Sequence, residues 1–88
     1  DPDSAAIMDS VGWAHFLTGD AARALPMLEK AAAKESDPEI NEHLGDVYWA
    51  LGRRIDARYA WAAAAVDASP EAKARLAARA ERGPPPRR

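Results

Sequence analysis

Cysteine is absent from the 88 residues, which excludes disulfides, thiolate metal sites and a cysteine nucleophile. Long apolar runs are absent too. None approaches the roughly 18 residues that cross a bilayer as a helix, so no direct membrane insertion is expected. No single sign of charge dominates. Lys and Arg number 12 against 14 Asp and Glu, and the net charge of −2 gives no electrostatic basis for a nucleic-acid or anionic-membrane partner. Bulk is scarce: 48% of the residues are hydrophobic, but much of that share is alanine, which favours helices and lets them approach without filling a deep core. The opening Asp1-Pro2-Asp3-Ser4 carries neither an initiator methionine nor a signal peptide, and the expectation is a segment of a longer protein.

What is present is a period. Gly12 and Gly45 stand 33 residues apart, as do Gly19 and Gly52. Met8, Val11, Gly12 and His15 correspond at the same offset to Asn41, Leu44, Gly45 and Tyr48, and Ala24, Leu28 and Ala31 correspond to Ala57, Trp61 and Ala64. A period of this length marks stacked repeats. Capping chemistry sets the boundaries. Asp37-Pro38-Glu39 and Ser69-Pro70-Glu71 each read as a cap, a proline that loses no hydrogen bond, and an acid facing the positive helix end. Gly19 and Gly52 suit the left-handed residue that ends a helix. Helices are predicted near 5–18, 21–35, 38–51, 54–67 and 70–82. Short connections make helices one and two a hairpin, and three and four another. Mid-helix Gly12 and Gly45 imply close helix approach, with Ala24 and Ala57 as the expected facing residues. The tail Gly83-Pro84-Pro85-Pro86-Arg87-Arg88 cannot continue a helix.

These residues resemble the tetratricopeptide repeat, whose pattern Leu44-Gly45, Tyr48, Ala57, Trp61, Ala64 and Pro70 follow closely and Val11-Gly12, Ala24, Leu28 and Ala31 follow with weaker side chains. The resemblance covers about residues 5–70. It implies an all-α, right-handed α-α superhelix: one repeat over 5–36, a second over 38–69, a capping helix over 70–82, and a flexible Pro/Arg tail over 83–88. Four features depart from the pattern. Met8 and Asn41 replace the first large aromatic, and His15 replaces a tyrosine. The interval is 33 rather than the family's roughly 34, and Pro26 should bend helix two. The stretch from Asp37 to Arg53 looks like the closing repeats of long bacterial tetratricopeptide proteins, some of them envelope adaptors, which implies the bacterial cytoplasm or cell envelope.

The family likeness implies that the first helix of each hairpin lines a concave surface. Met8, Val11, Gly12 and His15, with Leu44, Gly45 and Tyr48, form the expected internal packing face. A second stripe holds Asp9, Trp13 and Phe16, repeated at 33 residues as Glu42, Asp46 and Trp49. Mixed acids and aromatics suit a groove for a peptide or protein segment with basic and apolar side chains. The same aromatics could instead pack between hairpins, and the acids could be ordinary solvated charges. Trp61 and Tyr48 are expected in the core. A carboxylate clamp of the kind some family members carry does not fit Asp9, Trp13, Glu42 and Asp46.

Other chemistry finds little support. His15 belongs to the packing face. His43 with Glu39 would give a metal only two ligands. No phosphate loop or Ser-His-Asp arrangement is present, so neither an enzyme nor a cofactor or metal is expected. Lys73, Arg75, Arg79, Arg82, Arg87 and Arg88 form a basic end, read either as a solvated cap or as a dock for an acidic surface, including the groove of a second copy. Two hairpins and a cap are few for a stable stack, and the first helix lacks a preceding repeat. The expected function is therefore a non-catalytic protein-interaction module. A structural homo-oligomerisation element is the alternative, with a homodimer open to the isolated segment.

Overall fold

The computed structural model describes residues 4–86. Its described residues form five helices and no strand: α1 (Ala5–Leu17), α2 (Ala21–Lys34), α3 (Pro38–Ala50), α4 (Arg54–Ala65) and α5 (Pro70–Arg82). Four of the five begin on a side-chain cap. Ile7 N–H donates to Ser4 Oγ (3.1 Å), Arg23 N–H to Asp20 Oδ1 (3.0 Å), Glu39 N–H to Asp37 Oδ1 (2.8 Å) and Ala72 N–H to Ser69 Oγ (3.1 Å). Each cap satisfies an N–H group the helix itself cannot use. α2 runs unbroken through Pro26.

Two helix ends are built alike. Asp20 N–H reaches back to His15 O (2.9 Å) while Gly19 N–H meets Phe16 O (3.0 Å). One repeat later Arg53 N–H meets Tyr48 O (2.9 Å) and Gly52 N–H meets Trp49 O (3.0 Å). This is the Schellman arrangement, and it needs the positive φ that Gly19 (94°) and Gly52 (81°) supply. The turns fold α1 onto α2 and α3 onto α4. α2 packs in turn on α3, α4 on α5, and α1 more lightly on α3.

The core is three small clusters rather than one mass. Ala5, Met8, Ala31 and Ile40 join the first three helices near one end. Phe16, Ala24, Leu28, Leu44, Val47 and Ala60 occupy the middle. Ala57, Trp61, Ala64 and Leu76 fasten the last hairpin to α5. Alanines at the crossings explain this division: they allow close helices but leave each cluster thin.

Some local expectations change. The atoms nearest Gly45 belong to the indole ring of Trp61; those nearest Gly12 belong to Leu28, Met27 and the carbonyl of Ala24. The N–H side of the indole fills the space that the missing side chain of Gly45 leaves. Val11, placed by its spacing on the internal packing face, is 41% exposed, whereas its counterpart Leu44 is 8% exposed. The reason is that α2 covers the Leu44 flank of α3, and no described helix stands in the matching position beside α1. His15 is only partly buried. Met8 and Asn41 are both buried despite their departure from the aromatic pattern.

Candidate functional site

The second stripe was read as one surface, and the structure divides it. Asp9 is buried and its Oδ1 lies 2.8 Å from His43 Nδ1. Trp13 stacks on that same imidazole, with ring centroids 3.9 Å apart and planes 15° from parallel. His43 thus has Asp9, on the neighbouring hairpin, as its partner. Among the described residues, no group of three or more His, Asp or Glu is placed to hold a metal ion.

Glu42 and Asp46 are paired with α5. Arg75 Nη2 donates to Glu42 Oε1 (2.8 Å), and Arg79 Nη1 donates to both carboxylate oxygens of Asp46 (3.0 Å each). Arg79 Nε also lies 3.1 Å from Glu42 Oε2, as an ion pair without good hydrogen-bond geometry. Asp46 Oδ1 accepts a further bond from the buried Trp61 Nε1 (3.1 Å). Burial pushes the Asp46 carboxyl above its usual range, and Glu42 adds to that rise; Arg79 and the Trp61 N–H pull the other way. The acidity of the stripe is therefore answered inside the chain.

What remains open is an aromatic cleft of about 340 Å³. α1 contributes Trp13, Phe16 and Leu17, and α3 contributes Asp46, Trp49 and Ala50. Arg79 and the tail prolines Pro84, Pro85 and Pro86 complete the lining. Phe16 is mostly claimed by the core, and Trp13 leans on it at 5.0 Å. Trp49 is tilted against Trp61 at 5.6 Å and has the Arg54 guanidinium 4.5 Å from its ring centre. Of the six residues singled out by spacing, Trp13, Phe16, Asp46 and Trp49 thus share one cleft. Asp9 and Glu42 lie outside it. Glu42 and Arg75 line a separate depression at the start of α5.

Arg75, Arg79 and the tail were not read from the sequence as parts of this site. A signal was available. Glu42 to Arg75 and Asp46 to Arg79 both span 33 residues, so extending the period one step further brings the arginines of α5 to the carboxylates of α3. No protein-family model, curated protein or solved structure matches the chain.

Proposed function

We propose that the chain is a non-catalytic protein-interaction module of the tetratricopeptide type, two helical hairpins and a cap arranged as a right-handed superhelix. It holds a peptide or protein segment in the concave cleft between α1, α3 and the tail. The supporting observation is the convergence of Trp13 and Trp49, from equivalent helices, on one open cleft. Aromatic side chains offer large contact area at small entropic cost and dominate binding surfaces. With Glu42 and Asp46 already paired, apolar contact carries more of the recognition than attraction of a basic partner. A random peptide library selected against the chain tests this reading. Enriched peptides should lose about tenfold or more in affinity for Trp13→Ala, with the helical melt of the variant retained. Failure to enrich any peptide, or indifference to that substitution, removes the reading.

A second reading, self-assembly, has its own observation. Ile55 and Tyr59, one turn apart on α4, and Val66, the residue that caps its C-terminal end, are 69%, 74% and 65% exposed. The matching positions on α2 are Ala22, Pro26 and Ala33, so these large exposed side chains belong to the second hairpin alone. A symmetric pairing of two α4 helices would cover Ile55 and Tyr59. Light scattering over a dilution series, repeated with Tyr59→Asp, decides the matter: a dimer abolished by the substitution favours self-assembly.

A further inference from the structure

The tail is the one described segment that lies against the cleft without belonging to a helix. Gly83, with φ of 81°, turns the chain at the end of α5. Its α-carbon sits so close to Trp49 that an added Cβ would come within 2.6 Å of the Nε1–Cε2 edge of the indole. Pro84, Pro85 and Pro86 then run along the cleft as part of its lining. A run of three prolines holds the extended polyproline conformation without needing internal hydrogen bonds.

The polar chemistry of the cleft suits the same kind of chain. Its single carboxylate, Asp46, is already occupied by Arg79 and Trp61, so little remains to accept the N–H groups of an ordinary peptide. The indole N–H groups of Trp13 and Trp49 have no acceptor among the described residues, and neither is sealed from solvent. A ligand that fits this imbalance is rich in carbonyl acceptors, poor in N–H donors and flat-sided against aromatic rings. Proline-rich segments have those properties.

We infer that the cleft is a receptor for extended proline-rich segments, and that residues 83–86 are a built-in competitor covering the N–H edge of Trp49. The inference rests on the interaction-module reading and narrows it to one class of ligand. A partner carrying a proline run displaces the tail from Trp49 and takes its place beside Trp13.

The test uses a fluorophore-labelled octaproline peptide and the full chain, read by anisotropy. Two tail variants of the full chain are compared with it. Gly83→Val forces the turn away from Trp49, and the triple substitution Pro84→Ser, Pro85→Ser, Pro86→Ser removes the competing chemistry. Circular dichroism melts establish that the compared chains are folded. Octaproline should bind the parent chain and bind the folded tail variants about tenfold more tightly, because the competent fraction of clefts rises. Trp13→Leu should weaken that binding. Equal or weaker binding by the tail variants overturns the competitor role. If octaproline binds no variant while library-selected peptides still bind through Trp13, the proline chemistry is wrong and the interaction module stands. If neither class binds, both fall.

Discussion

Trp61 is the residue on which the second hairpin turns. Its ring lies against Gly45, and its N–H satisfies both Asp46 Oδ1 and, at 3.3 Å, the carbonyl of Glu42. Gly45→Ala would put a methyl group onto the indole nitrogen; a cost of about 2 kcal/mol is expected in denaturant melts. Gly12→Ala should cost less, since its nearest neighbour is the Leu28 side chain at 3.0 Å, which can yield. Tyr48 supplies a pH marker. Its hydroxyl donates to Glu29 Oε2 at 2.7 Å. Burial first, and then that bond and the Glu29 charge, push the phenol up to about 12. The folded chain holds this proton more tightly than the unfolded chain does, so the stabilisation is complete below pH 10 and is lost as the pH rises towards about 12. Tyr48→Phe should flatten the fall in Tm across that window. The glycine signals and the large Trp61 were readable in the sequence. That the Trp61 indole would come nearest to Gly45 was not, because it depends on the rotation of α4 about its own axis, which spacing alone leaves free.

Among the elements, α5 is held by one buried apolar anchor and a set of ion pairs. It adds only Leu76 to the buried residues, while Arg79 binds Asp46 and lies beside Glu42, with little of any of the three side chains exposed. Arg79→Ala leaves the partly buried Asp46 without its cation and Glu42 with Arg75 alone, and a loss of about 3 kcal/mol is expected at neutral pH. The pH dependence of that loss distinguishes it from lost packing. Without Arg79 the Asp46 carboxyl rises further above its usual range. The folded variant then takes up a proton more readily than the unfolded chain, and its stability falls as pH rises through the folded value. The deficit against the parent chain should therefore shrink in acid, as followed by urea melts at descending pH. Helix positions were legible because caps and glycines are local signals, and four of the five boundaries at the N-terminal side rest on such caps. The pairing of α5 with α3 was less so: a basic helix with one apolar anchor looks the same whether its arginines meet solvent or carboxylates.

At the scale of the molecule, the all-helical architecture was legible in the caps and the 33-residue offset, and the pairing of neighbours in the short connections. The covered and uncovered flanks did not. Val11 and Leu44 share a position in the pattern, yet only Leu44 has a helix against it. Similarly, the exposed Ile55 and Tyr59 of α4 and Val66 at its C-cap have Ala22, Pro26 and Ala33 as their counterparts one period earlier. Tyr59→Asp should leave the monomer melt within about 0.5 kcal/mol, since the side chain is largely in water already. The same substitution should lower the tendency to associate at high concentration, as measured by light scattering.

The ion pairs between successive first helices also give the stack a direction. Asp9 of α1 meets His43 of α3, and Glu42 and Asp46 of α3 meet Arg75 and Arg79 of α5. In every case the anion sits on the earlier helix and the positive or protonatable group on the later one. On α5 the positions one period beyond Glu42 and Asp46 are themselves Arg75 and Arg79. A further helix of the α5 kind, offering arginines there, would meet like charge instead of an acceptor. The α3–α5 contact is thus complementary in sign, whereas two helices of the α5 kind set side by side would repel at these positions.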